Sequence, residues 1–331
     1  MYAFPKDPSP PPRAERTGRV LLCALTLCGL GLAAAPSAAA VDDEPAAAII
    51  TVGEPRFEDV AEALIRELDL LGVDARKGPA DAEPGCALDV EGCALGILVG
   101  AAHDAASLAG PAQADLVVDP VGWPADPATS GVDTVADSLE DTARIDFARL
   151  RGFLDAAEER RRELTIPLDA WLSAAEPTLR RAAESAGFTV RVVDPAELTA
   201  PGDGVLYLPP GSGAAVDVGE TARRLTEAGA FGFSSRGRPD VEAGWLLGPA
   251  VDRRQRLVRR AALETLVRIR GVDRGPAPAK EPPSTGPDAL AIHVGTAHAL
   301  GLELPWRLRL EATVVGSTPR AEGLTVAEAR G

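Results

Sequence analysis

The sequence is poor in aromatic residues, which make up 4% of its 331 positions. Hydrophobic residues still supply 46% of the chain, so its cores must be built mostly from Ala, Val and Leu. Positive charge is also in deficit, and the formal net charge is -15 at pH 7. Nucleic acid requires a basic surface, so we expect no nucleic-acid partner.

The sequence also lacks the common catalytic and cofactor motifs. It contains no Walker A sequence, no G-x-G-x-x-G, no H-E-x-x-H and no G-x-S-x-G nucleophile elbow. His103 alone does not supply a zinc ligand set, so we expect neither a metal nor a cofactor. His103-Asp104 together with Ser212 leaves an exported hydrolase open as an alternative. Against it, Ser212 follows Pro-Pro-Gly rather than a strand-to-helix elbow.

Residues 1–40 have the pattern of a signal peptide. Three arginines precede the apolar run Val20–Ala34, and Ala38–Ala40 supplies an A-x-A cleavage site. We therefore expect cleavage after Ala40 and export to the periplasm, with an uncleaved membrane anchor as the alternative. No later stretch of the sequence is long and apolar enough to cross a bilayer.

The 4 cysteines fall into two pairs. Cys23 and Cys28 lie inside the apolar run and would leave with the signal peptide. The remaining pair, Cys86 and Cys93, predicts a disulfide in an oxidising compartment. Two free buried thiols are the alternative.

The rest of the chain alternates short β-rich runs with amphipathic segments. Strands are predicted at 48–52, 96–100, 114–118, 164–168, 189–193, 204–208, 230–233 and 244–247. Helices are predicted at 57–71, 101–108, 145–162, 174–186 and 216–228, and from an N-cap at Asp252 to about Arg270. Such alternation predicts parallel sheets with right-handed crossovers, and the Pro-rich stretch 122–130 is a candidate crossing between two lobes.

The end of the chain carries the most specific signal. After a strand at 291–294 come Thr296-Ala297, then Leu300-Gly301-Leu302, then Leu304-Pro305. This order resembles the substrate-binding proteins of ABC transporters, in the branch that includes the aromatic-amino-acid binder TrpX. The match covers about residues 200–316.

The resemblance implies an α/β fold of the type I periplasmic binding proteins, with two Rossmann-like lobes and a ligand cleft between them. It implies that each lobe is discontinuous in sequence. The first lobe would comprise residues 46–125 plus 250–275, and the second would comprise residues 130–248 plus 287–318. In the family, a Thr or Ser at the ligand-holding loop of the first lobe binds a carboxylate, whereas this chain has Ala101-Ala102-His103 there.

Ligand in such a fold lies outside the carboxyl ends of the strands. The candidate ligand-binding residues are accordingly Gly53, Glu54, Ala102, His103, Trp123, Pro210, Ser212, Ser234 and Ser235. Trp123 is expected either to stack on a planar ligand or to cover a loop. The serines are expected either to donate hydrogen bonds to a carboxylate or carbonyl or to serve as ordinary turn residues.

These observations predict an exported solute-binding protein without enzymatic activity. Its small organic ligand, for which an amino-acid-like compound is the candidate, would be delivered to an ABC permease in the inner membrane, and the protein would act as a monomer. The first alternative is a degenerate binding-protein fold that serves as an envelope sensor or interaction module. The exported hydrolase is the second alternative.

Overall fold

The computed structural model describes residues 47–78, 93–100, 114–123, 133–199, 203–212, 216–271 and 289–316. Several predictions from the sequence fall outside these residues. They are the signal peptide at 1–40, the helix at 101–108 with Ala102 and His103, and the disulfide, since Cys86 and the side chain of Cys93 are not described.

Two β-sheets and eight α-helices organise the described residues. The strands are β1 (Ala47–Val52), β2 (Ala75–Lys77), β3 (Cys93–Val99), β4 (Leu116–Asp119), β5 (Asp133–Ala136), β6 (Glu163–Pro167), β7 (Thr189–Val193), β8 (Val205–Leu208), β9 (Phe231–Ser234), β10 (Leu247–Pro249), β11 (Leu290–His293) and β12 (Thr313–Val315). The helices are α1 (Glu58–Leu70), α2 (Leu139–Ala156), α3 (Glu176–Ser185), α4 (Val218–Glu227), α5 (Arg238–Glu242), α6 (Arg253–Ile269), α7 (Val294–Ala299) and α8 (Trp306–Glu311).

The first sheet has the strand order β2-β1-β3-β4-β5, and all its pairs are parallel. Its central strands are buried on both faces, as expected when helices cover a parallel sheet. Helix α1 packs beside α6, which also contacts β3, β4 and β5. The chain after Asp252 therefore returns to the first sheet. Asp252 caps α6 as the sequence predicts, with its carboxylate accepting the backbone N–H of Gln255 at 3.0 Å.

The second sheet has the strand order β12-β11-β10-β9-β8-β6-β7. Its pairs are parallel except β10–β11, which is antiparallel with Gly248 opposite Ala291. The exception follows from the path of the chain. Between β10 and β11 the chain leaves the second lobe and forms α6 on the first lobe. It therefore re-enters the second sheet at the end where β10 leaves it, and β11 runs antiparallel to β10.

The passage from the first sheet to the second differs from the sequence-based expectation. Strand β5 extends the first sheet to Ala136, so the passage follows at residues 137–138 rather than at 122–130. Residues 133–136 thus lie in the first lobe, not in the second as predicted. The short strand was missed because its Asp133-Thr134 start is exposed and polar and gives little β signal.

Helix α2 is shifted by six residues from its predicted span of 145–162. Ser138 starts the helix early, since its hydroxyl accepts the backbone N–H of Asp141 at 3.3 Å. Glu158 adopts a left-handed conformation with φ of 57°, which is typical of the residue that closes a helix. The Arg160–Arg162 stretch therefore lies in the connection to β6 and not in the helix.

The few aromatic residues concentrate in the second lobe. The rings of Phe147 and Tyr207 have centroids 4.6 Å apart, and Tyr207 stacks on Phe233 at 5.8 Å. Phe153, Phe231 and Trp245 are also fully buried. The core of the first sheet is instead built from aliphatic residues of β1, β3, β4 and α1, with Phe57 at its edge. The expectation of aliphatic cores thus describes the first lobe better than the second.

A buried carboxylate fixes the turn that follows β4. The side chain of Asp119, fully buried, accepts the backbone N–H groups of Val121, Gly122 and Trp123 at 2.9, 2.9 and 3.0 Å. These bonds satisfy three donors that would otherwise be left without a partner inside the protein. The turn holds Val121 and Trp123 at the carboxyl edge of the first sheet.

Asp119→Ala should lower the free energy of unfolding by about 3 kcal/mol, because it leaves buried backbone donors unpaired. Urea denaturation of the wild type and the variant measures the difference. Asp194→Ala is the matched control, since Asp194 is exposed and accepts a single backbone N–H, from Ala196 at 2.8 Å. Equal losses in the two variants would contradict the role assigned to Asp119.

Candidate functional site

The carboxyl ends of strands from both sheets border one cavity of about 810 Å³. Such a volume lies in the range of small-molecule sites. The first lobe contributes the start of α1, the turn after β4 and the first turn of α6. The second lobe contributes the segments that follow β8 and β9. Residues of both lobes line the cavity, among them Arg56, Val121, Asp137, Pro210, Gly211, Ser212, Ser235, Arg236, Asp240 and Arg253.

The two lobes touch at Gly211 and Val121. Gly211 has a φ of 78°, and a Cβ at this position would lie 2.3 Å from Cγ2 of Val121. Two constraints therefore require glycine at this position: the left-handed backbone and the close approach of Val121. The neighbouring Pro210 follows β8 and lines the cavity, and its contact with a ligand stays a prediction.

Three aromatic rings join the lobes at another edge of the cleft. Trp171, which follows β6, meets Trp123 edge-on at 5.5 Å and Phe57 at 5.4 Å. We call Phe57, Trp123 and Trp171 the aromatic clasp. Trp123 is buried against Trp171, so the structure shows it within a contact between lobes. Stacking of Trp123 on a ligand remains a prediction.

Arg56 reinforces the aromatic clasp. Its guanidinium donates to the carboxylate of Asp169 at 2.8 Å and lies 4.5 Å from the ring centroid of Trp171. This joins the start of α1 in the first lobe to the loop after β6 in the second. Gly53 and Glu54 lie just before Arg56, and neither is among the described residues that line the cavity. Gly53 donates its N–H to Val99, and the carbonyl of Glu54 accepts from Phe57.

Ser234 and Ser235 are fully buried, and both hydroxyls are hydrogen-bonded inside the protein. Ser234 Oγ donates to Asp240 Oδ2 at 2.5 Å, and Ser235 Oγ donates to Asp146 Oδ2 at 2.6 Å. Burial raises the pKa of Asp240, and the charge of Arg236 with the Ser234 hydrogen bond opposes that rise. The serines thus support the carboxylates below the cleft, and a direct bond from them to a ligand stays a prediction.

Asp146 is the centre of a buried network between the lobes. Its two carboxylate oxygens accept from Nη2 and Nη1 of Arg253 at 2.6 and 2.7 Å, and Tyr207 donates to it at 3.1 Å. Burial and the negative charge of Asp146 raise the pKa of Tyr207, so its phenol stays protonated and donates. Asp146 belongs to α2 of the second lobe, and Arg253 begins α6 on the first. We call Asp146, Tyr207, Ser235 and Arg253 the hinge network.

Ser212 differs from the other two serines. It lines the cavity, and 7% of its surface is exposed. Its hydroxyl has no hydrogen-bond partner among the described residues. A buried hydroxyl without a partner is uncommon, because its loss of hydration is left uncompensated.

The sequence analysis missed the arginines of the cavity wall. Five of them line it: Arg56, Arg66, Arg236, Arg253 and Arg254. Two follow recognisable signals, since Arg236 comes directly after the strand-end serines and Arg253 directly after the N-cap Asp252. Because they follow a strand end and a helix cap, both could have been predicted to lie at the cleft, although the distant carboxylate partner of Arg253 could not.

Several solved structures are similar to this chain. A chain from Vibrio cholerae, described as a conserved domain protein, is 15% identical with a TM-score of 0.55 and covers 82% of this chain and 98% of that chain. An ABC domain from Streptococcus pneumoniae, solved with L-Trp, is 17% identical with a TM-score of 0.53 and covers 82% of this chain and 99% of that chain. A substrate binding protein with adhesive properties from Clostridium difficile, in a ligand-free, open structure, is 15% identical with a TM-score of 0.45 and covers 82% of this chain and 98% of that chain.

The two likenesses with TM-scores above 0.5 establish the fold. The chain has two α/β lobes with largely parallel sheets, and its fold is that of the type I periplasmic binding proteins. The fold class predicted from the sequence is thereby confirmed. No protein-family model matches the chain, and the curated proteins gave no match.

Two further kinds of feature are absent from the described residues. Among the described residues, no group of three or more His, Cys, Asp or Glu side chains is arranged to hold a metal ion. The helices within the same residues include none with both the length and the apolar character that a membrane span requires.

Gly211→Ala should separate the lobes. The added Cβ overlaps Val121, so the contact can persist only if the two loops move apart. The measurement is the radius of gyration by small-angle X-ray scattering, which should rise. Gly72→Ala is the control, since its φ of 76° is similar but a Cβ there meets nothing within 4 Å. Both variants should lose about 1 kcal/mol of stability, and an unchanged radius for Gly211→Ala would contradict the contact.

Asp137, at the passage between the lobes, should make stability depend on pH. Burial raises its pKa, but hydrogen bonds and charges from Arg256 and Arg260 outweigh burial, and the pKa is lowered. A carboxyl with a lowered pKa stabilises the fold above its unfolded pKa of about 4, and that stability is lost as the pH falls.

Asp137→Asn should therefore destabilise the protein at pH 7, and the difference from the wild type should shrink as the pH falls below about 4. Chemical denaturation across this pH range measures it. Glu242→Gln is the control, because Glu242 pairs with Arg238 on the exposed surface of one helix. A constant difference between the wild type and Asp137→Asn at all pH values would refute the assignment.

Proposed function

We propose that the protein is an exported solute receptor that binds a small organic ligand between its two lobes. The observation that carries this proposal is the cavity of about 810 Å³, which is bordered by strand ends of both lobes. Ligands of doubly wound α/β folds bind at such ends. Closure of the lobes about residues 137–138 and 250–253 would enclose the ligand.

Delivery to an ABC permease and location in the periplasm form part of the proposal. They are supported by the signal-peptide pattern of residues 1–40 and by the fold, which an ABC domain solved with L-Trp shares. That ligand makes aromatic amino acids the first compounds to test. The protein would act as a monomer and would hold the ligand without converting it chemically.

A second candidate function is an envelope sensor or interaction module. The aromatic clasp, the Arg56–Asp169 ion pair and the Gly211–Val121 contact hold the lobes together through the protein's own side chains. A module that presents a fixed arrangement of lobes to a partner would need contacts of this kind.

The two candidates differ in a thermal-shift screen of the purified protein against the amino acids and small organic acids. A receptor should show a rise in melting temperature of several degrees with a few compounds, because ligand at 100 times its Kd stabilises by about 2.7 kcal/mol.

The control is a variant with a filled cavity. Ala63 lines the cavity, so Ala63→Trp should remove the shift, whereas Glu62→Trp, at the neighbouring exposed position of α1, should retain it. Absence of any shift in the wild type would reject the receptor and favour the interaction module.

A further inference from the structure

Of the cavity-wall arginines whose side chains are at least half buried, Arg236 has the longest ion-pair distance. Three other arginines have close carboxylate partners: Arg56 with Asp169 at 2.8 Å, Arg253 with Asp146 at 2.6 Å, and Arg254 with Asp59 at 2.5 Å. Arg66 extends into solvent, with 69% of its side chain exposed, and pairs with Glu62 at 3.9 Å. Arg236 is one-third exposed and reaches Asp240 only at 3.3 Å.

The remaining contact of the Arg236 guanidinium is also long. Its Nη1 donates to the carbonyl of Ser212 at 3.5 Å, the limit of a hydrogen bond. A guanidinium carries five N–H donors, so most of its hydrogen-bonding capacity stays available. This contact also places Arg236 beside Ser212, whose buried hydroxyl lacks a partner among the described residues.

The carboxylates of the same cavity wall are already occupied. Each has a donor within the described residues: Glu58 with Lys77, Asp59 with Arg254, Asp137 with Arg256, Asp217 with the N–H of Glu220, Asp240 with Ser234, and Asp252 with the N–H of Gln255. A ligand cation would have to share these oxygens with the donors they already have. A ligand anion would meet the Arg236 guanidinium, whose contacts with Asp240 and Ser212 are long, at 3.3 and 3.5 Å.

We propose that Arg236 and Ser212 form an anion subsite that takes the carboxylate group of the ligand on the second-lobe side of the cleft. The inference rests on the proposed function and specifies the ligand class. The planar guanidinium would donate to the carboxylate, and the Ser212 hydroxyl would supply a further hydrogen bond. A subsite at this place would anchor the ligand without the Thr or Ser that the sequence lacks at residues 101–103.

The test compares carboxylates with their neutral amides by isothermal titration calorimetry. The probes are indole-3-acetate with indole-3-acetamide, benzoate with benzamide, and succinate with succinamide. At least one acid should bind the wild type about tenfold or more tighter than its amide, as expected when a charge-assisted hydrogen bond is lost.

The variants assign that preference to residues. Arg236→Gln should weaken the acid about tenfold or more and leave the amide unchanged, and Ser212→Ala should weaken the acid severalfold. Arg238→Gln is the matched control, because Arg238 lies two residues away, pairs with Glu242 and does not line the cavity. It should bind as the wild type does. Ser212→Ala, a small change, keeps the test decisive if Arg236→Gln fails to fold.

The outcomes separate this inference from the proposed function. Amides that bind as tightly as acids, or an acid preference that survives both substitutions, would overturn the subsite and leave the receptor standing. If none of these probes bound while an amino acid raised the melting temperature, unchanged binding of that amino acid by Arg236→Gln and Ser212→Ala would overturn the subsite alone. Failure of every compound in both experiments would overturn the subsite and the receptor together.

Discussion

The arrangement of the two lobes depends on the ion pair between Asp146 and Arg253. Asp146 is fully buried, and an ionised carboxylate is costly to remove from water unless it is paired and hydrogen-bonded. Arg253 meets both of its oxygens, Tyr207 and Ser235 donate to it, and the buried Arg149 pairs with it at 3.8 Å. Since the partners come from both lobes, any movement of one lobe on the other must either rotate around this pair or break it.

Two kinds of contact therefore hold the lobes together, one at the hinge network and the other at the far edges of the cleft. At the hinge the contacts are buried, short and charged, and breaking such a pair costs about 3–5 kcal/mol. At the far edges they consist of the aromatic clasp and the approach of Gly211 to Val121, which are weaker and need no charge to be exposed. The lobes are expected to part at these edges before the hinge network opens. The cavity with Arg236 and Ser212 lies between the two kinds of contact.

The sequence was sufficient for features that depend on nearby residues. Asp252 at the start of α6, the strand at Thr189–Val193 and the two-lobed α/β class all follow from caps, alternation and strand–helix order. Features that depend on distant partners were not accessible. The hydroxyl of Ser235 donates to Asp146, which is 89 positions away in the sequence. Strand β5 and the antiparallel β10–β11 pair likewise require knowledge of the chain path. Strand-end positions led the sequence analysis to Pro210 and Ser212, which line the cavity, but not to the arginines beside them.

The scarcity of aromatic residues has an optical consequence. The chain has 4 tryptophans, and two of them, Trp123 and Trp171, meet edge-on at the junction of the lobes. Trp245 lies deep in the second lobe and Trp306 is open to solvent, so both keep the same surroundings when the cleft changes width. A change in intrinsic fluorescence on opening would therefore arise from the aromatic clasp, which gives the protein a built-in reporter of its own conformation.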